Sequence, residues 1–147
     1  MLASKLLTGT MKIYHHNLAI ELNDSWWAEA EMDGFKPAST AYRVEMNGTH
    51  SHGIFEVKID EVRPVQRALG VAIFNDSDEA TARDRVVSIL RGFRAAAIIP
   101  PVEVVSEPDG SPYRYKLVHG AHRFYCSIAV GFSHVPAVMG LDPKTLG

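Results

Sequence analysis

The residues with the clearest chemical potential stand together in one short segment, residues 118–125, with the sequence VHGAHRFY. A strand pattern ends at His119, Gly120 supplies a turn, and a helical pattern begins at once. We therefore expect the backbone N–H groups between Gly120 and Arg123 to lack partners inside the helix. Such a turn is a prepared anion site, because the helix dipole places partial positive charge there.

The side chains of this turn strengthen that prediction. His119, His122 and Arg123 bring three cationic or hydrogen-bonding groups to a helix end where Asp, Ser or Thr is usual. Cations in a first turn cost about 0.3–1 kcal/mol each. A bound phosphate would turn this free-energy cost into a favourable interaction, since Arg123 could hold two phosphate oxygens in a fork. In the ordinary alternative, His122 is a neutral core histidine and Arg123 pairs with Glu103 or another strand carboxylate.

Two weaker patterns could also carry chemistry. His15-His16 and His50-x-His52 could bring imidazoles together around a transition metal. No carboxylate or thiolate joins them at a diagnostic spacing, so the alternative is loop or surface histidines. Trp26-Trp27 with Phe35 either forms an exposed aromatic patch for a partner or covers one edge of the core.

Composition restricts the class of protein. A chain of 147 residues, 46% hydrophobic and 22% charged, predicts one compact domain. Its single cysteine excludes a disulfide framework and zinc sites that need two thiolates. The net charge of −2 argues against bulk electrostatic binding of nucleic acid. Residues 63–147 carry ten Lys/Arg against eight Asp/Glu, and residues 1–62 carry five against nine, so we expect an anionic ligand in the second half.

No apolar run reaches the roughly 18 residues needed to cross a bilayer. The opening segment breaks at Lys5 before a signal-peptide core could form. We therefore expect a cytoplasmic protein with no membrane partner.

The N-terminal third predicts a β-rich extension. Residues 1–10 have no periodicity and are expected to be disordered, so the domain is placed at 11–147. Strands are predicted near 12–16 and 18–22, and a short helix over 26–32. Alternating apolar residues on either side of Asn47-Gly48 predict a hairpin. Its strands would carry Tyr42, Val44 and Met46 on one side and Phe55, Val57 and Ile59 on the other.

The remaining residues, 54–139, predict the order strand, helix, strand, strand, helix, strand. A capping box at 76–79 opens a long helix over 78–96. The apolar stripe that faces the core consists of Ala82, Val86, Ile89, Leu90, Phe93 and Ala97. The opposite, solvated face of the helix carries Asp84, Ser88 and Arg91. A short extended piece (71–74), strands (102–105, 113–118 and 134–139) and a helix (121–130) complete the pattern. The predicted fold is α+β: a small mixed sheet with two main helices and an N-terminal β-extension.

The order and spacing of three motifs resemble the ParB/sulfiredoxin superfamily. They are residues 99–105 (IPPVEVV), residues 120–123 (GAHR) and residues 131–136 (GFSHVP), with a strand and a helix between them. The resemblance covers about residues 54–139. It implies a small α+β domain whose turn grips nucleotide phosphates.

The chain departs from each branch of that superfamily. Sulfiredoxins have a nucleophilic cysteine directly before the His-Arg pair, where this chain has Ala121, so sulfinic acid reduction is not expected. Cys126 is expected to be a buried small hydrophobe. ParB proteins that bind CTP have an upstream Gln-Pro-Arg, which Gln66-Arg67 partly matches. They continue into a DNA-reading segment, which is not expected here because the chain ends eight residues after Met139.

Free-serine kinases of similar fold have Gly-His-His-Arg at the turn and a catalytic glutamate after the proline of the first strand. Counting from Pro64, that position is Gln66, which cannot act as a base. Kinase activity would need Asp60 or Glu61 instead. Both carboxylates suit solvated positions at a strand end equally well.

The resulting expectation is a domain that binds a nucleotide or another phosphorylated small molecule. Gly120 and Ala121 would offer amides, His122 and Arg123 would grip phosphate oxygens, and His119 and Arg67 would be outer contacts. An ATP- or CTP-type ligand would bring Mg²⁺ with it.

If the protein is an enzyme, the resemblance implies phosphoryl transfer or phosphodiester hydrolysis. His122 would act as acid or base, with Asp60 or Glu61 on the metal or the nucleophile. Two alternatives stay open. One is a nucleic-acid-associated module with DNA binding or nuclease activity. The other is a degenerate, non-catalytic interaction domain that forms a homodimer through residues 11–46.

Overall fold

The computed structural model describes residues 9–16, 18–45, 53–63 and 79–140, and they form an α+β fold. The strands are β1 (Thr10–His15), β2 (Leu18–Asn23), β3 (Phe55–Lys58), β4 (Val62–Arg63), β5 (Val102–Ser106), β6 (Tyr115–His119) and β7 (His134–Met139). The helices are α1 (Asp24–Glu29), α2 (Glu79–Arg94) and α3 (Ala121–Val130), and a 3₁₀ turn spans Ile59–Glu61. None of the described helices combines the length and apolar character that a membrane crossing requires.

Five strands form one mixed sheet in the order β3-β7-β5-β6-β4. The pairs β3–β7 and β5–β6 are antiparallel, whereas β5–β7 and β4–β6 are parallel. The strands β1 and β2 form a separate antiparallel pair, the predicted N-terminal β-extension. Since β4 runs parallel to β6, both strands point toward the edge of the sheet where α3 begins, but Arg63 at the end of β4 pairs with Lys116, well before the end of β6.

The two main helices supply much of the core. In α2, Ala82, Val86, Leu90 and Phe93 are buried at the spacing that the sequence predicts. Ala97, predicted in the same stripe, lies beyond α2 and is exposed. In α3, the buried residues are Phe124, Tyr125, Cys126 and Ser127.

The sequence pattern predicted the C-terminal helix and strand correctly. The predicted helix 121–130 and strand 134–139 coincide with α3 and β7. Gly131 ends α3 with a φ of +101°, a backbone conformation that glycine adopts at little cost. The predicted strands 102–105 and 113–118 correspond to β5 and β6 with shifted ends.

The predicted hairpin is wrong for its described part. Residues 41–45 are not in a strand, and β3 pairs with β7 instead. The reason is the burial of Tyr42, whose ring stacks on Phe93 at 5.3 Å and whose hydroxyl donates to the Pro100 carbonyl at 2.9 Å. The Arg43 carbonyl also accepts from the Ile99 N–H at 2.9 Å. These long-range contacts override the local alternation.

The N-terminal predictions need three corrections. Strand β1 already begins at Thr10, so the extension predicted to be disordered cannot include that residue. Helix α1 starts two residues earlier than predicted, at Asp24. Trp26 is buried, and Trp27 and Phe35 pack partly buried against the core, so these rings cover a core edge and do not form an exposed patch.

Several predictions lie outside the described residues. They concern the terminal segment 1–8, the turn and histidine pair within 46–52, and the region 64–78, which includes Gln66, Arg67, the extended piece and the capping box.

One ion pair joins β4 to the turn after β5 and predicts a pH dependence of stability. The Arg63 Nε donates to Glu107 Oε2 at 2.5 Å, and Ser111 also donates to this carboxylate, which is largely buried. The hydrogen bond from Arg63 is the main reason that the pKa of Glu107 lies below its ordinary value of 4.5. The stabilisation is therefore present above pH 4.5 and is lost as the pH falls through the lower folded-state pKa.

We expect Glu107→Gln to lower the free energy of unfolding at pH 7 and to have a progressively smaller effect below pH 4.5. Urea unfolding at pH 7, 5, 4 and 3 measures this, with Asp109→Asn in the same exposed turn as the control. A Glu107→Gln deficit that stays constant over this pH range would contradict the assignment.

Candidate functional site

The amino end of α3 has the geometry that the sequence predicts. Gly120 has φ +96° and ψ +30°, and its carbonyl accepts the first helical hydrogen bond, from the Phe124 N–H at 2.9 Å. The three preceding N–H groups, from Ala121 to Arg123, have no acceptor within the helix. Gly120, at the N-cap position, has no side chain that could cap this end, and the first turn carries no acidic residue. The positive end of the helix dipole therefore lacks a negative group of its own.

Only glycine fits at the turn. A Cβ on Gly120 would lie 2.9 Å from Val102 Cγ1, and the positive φ would add backbone strain. It would also lie 3.0 Å from Nη2 of Arg123. This second distance shows that the guanidinium folds back over the helix start. The guanidinium of Arg123 thus lies beside the backbone N–H groups at the start of α3.

The turn opens onto a cavity of about 750 Å³, here called the turn cavity. One wall is Gly120–Arg123, and the rest comes from α2 and the segment before β5. Those lining residues are Asp84, Arg85, Ser88, Ile89, Gly92, Ala97, Ile98, Ile99 and Pro100. Its size falls within the range of roughly 300–1,000 Å³ typical of small-molecule pockets. Arg123 and part of His122 therefore line a cavity, although the Nε2 atom of His122 is itself buried.

The sequence did not predict that α2 forms one wall of the turn cavity. Asp84 and Ser88 are exposed, as predicted for a wet face, but they face the turn cavity. Arg91, predicted on the same face, instead donates to the Glu29 carbonyl at 3.1 Å. The available signal was the spacing of four between Asp84, Ser88 and Gly92, since small residues along one helix face leave room beside it.

The structure brings together four of the predicted phosphate-binding residues, Gly120 to Arg123. His119 is not among the lining residues; its side chain is 73% exposed, and its Nε2 lies 3.7 Å from Glu103 Oε2. Glu103 thus sits beside His119, and no ion pair among the described residues joins it to Arg123. Arg67 lies outside the described residues.

The structure does not bring the predicted catalytic carboxylates to His122. Asp60 and Glu61 lie in the 3₁₀ turn before β4 and line a separate hollow. Val62 pairs with Tyr115 at the start of β6, whereas the turn cavity lies beyond its end. Four residues of strand separate the two places by about 13 Å. A joint role with His122 stays a prediction that this placement does not support.

Two buried groups near the cavity, the Tyr42 hydroxyl and the Cys126 thiol, stay protonated at neutral pH. Burial raises the pKa of Tyr42, and the nearby positive charge of Arg123 only partly opposes that shift. Burial also raises the pKa of the fully buried Cys126 thiol, so it stays protonated at neutral pH. Cys126 is the predicted buried hydrophobe, which leaves the thiol unsuited to nucleophilic chemistry.

No protein-family model matches the chain, and no curated protein matches it either.

The constraint on Gly120 can be measured against a matched glycine. Gly120 and Gly131 flank α3 with similar φ values, +96° and +101°, but a Cβ on Gly131 would meet nothing within 4 Å. We expect Gly131→Ala to cost about 1–2 kcal/mol, the backbone strain alone. Gly120→Ala is expected to cost more, because its Cβ also overlaps Val102.

Urea unfolding of both variants gives the two free energies. Equal losses for Gly120→Ala and Gly131→Ala would contradict the close packing of the turn against β5.

Proposed function

We propose that this protein binds a nucleotide, or another phosphorylated small molecule, in the turn cavity. One observation carries the proposal: an uncapped helix start and the folded-back Arg123 guanidinium face the same cavity. A cavity beside ordinary helix positions would not select an anion. Here the backbone and the side chain offer hydrogen-bond donors to the same place.

The phosphate would lie against the first turn of α3. The amides at this helix end point along the axis toward the ligand, and the dipole favours negative charge there. Arg123 is fixed in charge and can hold two phosphate oxygens in a fork. His122 lines the same wall, with its Nε2 buried, and adds its backbone N–H to this end of the helix. Arg85, on α2, adds a further cation to the lining. The binding energy would thus combine hydrogen bonds with local charge.

The rest of the cavity suits an organic group attached to the phosphate. Ile89, Ala97, Ile98 and Ile99 form an apolar section of its lining. Ile98 is 52% exposed, an unusual position for a large aliphatic side chain. Apolar walls with a few placed polar groups are typical of small-molecule sites. A nucleoside or a similar flat group on the phosphate would cover this surface, which free inorganic phosphate could not do.

A polyphosphate ligand would bring Mg²⁺, and the cavity has one suitable ligand among the described residues. Asp84 is the carboxylate in the lining, although Arg83 already donates to it at 3.0 Å. Mg²⁺ is commonly held by one or two carboxylates together with substrate phosphates and waters, so this single acid fits. The ion would neutralise phosphate charge. Asp84 replaces Asp60 and Glu61 as the acid nearest to the proposed phosphate.

The proposal includes a relationship to the ParB/sulfiredoxin superfamily. It is supported by the resemblance of the 99–105, 120–123 and 131–136 motifs and by the strand, turn and helix order around Gly120. Because Ala121 stands where sulfiredoxins have their nucleophilic cysteine, the proposal does not include sulfinic acid reduction. Phosphoryl transfer or phosphodiester hydrolysis would use His122 as acid or base, and binding without catalysis is the simpler form of the same proposal.

Calorimetric titration of ATP, CTP and their diphosphates with Mg²⁺ tests the proposal. We expect one site per chain for at least one nucleotide. Arg123→Gln should weaken binding by at least about tenfold, the effect of losing one charge-assisted hydrogen bond of about 1.5–3 kcal/mol. Arg94→Gln removes the same charge from an exposed end of α2 outside the cavity lining and should bind like wild type.

Two outcomes would contradict the proposal: no heat with any nucleotide, or equal affinities for wild type and Arg123→Gln.

Gel shifts at low and physiological salt examine the nucleic-acid alternative, because several phosphate contacts would give a steep salt dependence. A stable dimer that ignores every nucleotide would favour the interaction-domain alternative instead.

A further inference from the structure

A cluster of metal-ligating side chains lies away from the turn cavity. His15 ends β1, His16 occupies the turn that follows, and Asp60 belongs to the 3₁₀ turn between β3 and β4. Each offers one ligand atom, and the three atoms lie within 4.8 Å of one another. We call these three residues the His15 cluster. The sequence left two possibilities open for these histidines, a transition-metal site or surface positions, and the fold adds a carboxylate beside them.

The backbone explains how two adjacent histidines reach the same place. Successive residues of a strand point to opposite faces. His16 breaks that alternation with a φ of +56°, in the left-handed region. Its ring therefore turns back toward that of His15, with the ring centroids 4.5 Å apart.

Neighbouring aromatic rings contact both imidazoles. The His15 ring meets Phe124 of α3 edge to face at 5.9 Å, and the His16 ring meets Tyr113 in the same manner at 5.3 Å. His15 Nδ1 lies 4.0 Å from Asp60 Oδ1, and His16 Nε2 lies 3.3 Å from the Asp60 backbone carbonyl oxygen. The three residues thus lie side by side before any ligand arrives.

The buried imidazole of His15 also carries an unsatisfied polar atom. Its side chain is only 4% exposed, and its Nε2 has no hydrogen-bond partner among the residues that the structure describes. Buried polar atoms in folded proteins are rarely left in this state.

We propose that the His15 cluster binds a divalent transition-metal ion, with Zn²⁺ as the best fit. Two imidazoles and one carboxylate match the ligands of open zinc sites, in which water takes the fourth position. Imidazole donors also disfavour Mg²⁺ and Ca²⁺, which prefer oxygen ligands. Tetrahedral zinc distances place donor atoms about 3.3 Å apart, so donors that lie up to 4.8 Å apart must close by up to about 1.5 Å. The exposed side chains of His16 and Asp60 can make that movement.

Binding at this place would connect two parts of the fold. His15 and His16 belong to the N-terminal strand pair, whereas Asp60 belongs to the turn next to β4 of the five-stranded sheet. An ion that binds only the folded arrangement stabilises it by mass action. Zinc should therefore raise the melting temperature of the full chain as well as bind to it. This inference does not depend on the proposed nucleotide site.

The test is a calorimetric titration of Zn²⁺ into the full chain after removal of metals with a chelator. We expect one strong site per chain and a higher melting temperature with zinc. His16→Asn and Asp60→Asn should each weaken the affinity by at least about tenfold, and the zinc-induced shift in melting temperature should disappear. Asparagine is chosen at position 16 because it tolerates the left-handed backbone.

The control uses a described histidine outside the cluster. His134→Asn should bind zinc as wild type does. No strong zinc site in the wild-type chain would overturn the proposal. So would His16→Asn and Asp60→Asn variants that bind zinc with wild-type affinity. Nucleotide titrations of these variants should match wild type, so the two proposals can fail separately.

Discussion

The left-handed backbone of Gly120 is the constraint on which the candidate site depends. Its φ of +96° lets β6 pass directly into α3 while the turn stays against Val102 of β5. Any side chain there would push the helix start away from the sheet. Because the turn is this tight, the uncapped N–H groups and the Arg123 guanidinium occupy one corner of the turn cavity. Conformation at one residue thus brings backbone and side-chain donors together.

The second requirement is a helix that leaves space in front of that corner. Ser88 and Gly92 are small, and Gly92 also lets Ile99 approach closely, since a Cβ there would lie 2.9 Å from Ile99 Cδ1. The segment with Ile98 and Ile99 then closes the cavity with apolar surface. Donors at one end and apolar walls at the other end suit a ligand that has an anionic group and an organic group. This division is the physical basis for proposing a nucleotide rather than a free anion.

Local signals predicted the elements whose boundaries depend on single residues. Helix α3 was predicted because Gly120 and Gly131 bound a clear helical pattern, and both glycines have a positive φ. The strand predicted at Tyr42 does not form, because stacking on Phe93 overrides the local alternation of apolar residues. The cavity wall was missed for another reason. A polar helix face looks the same in sequence whether it meets bulk water or, as at Asp84, a cavity.

The central claim is that the amide groups at the start of α3 contact phosphate oxygens. Amide NMR spectra recorded during a nucleotide titration test it most directly. The account predicts large, saturable shifts for the N–H groups of Ala121, His122 and Arg123, with small shifts in β1 and β2. Unchanged signals for those three amides, at a nucleotide concentration that saturates binding elsewhere in the protein, would contradict it.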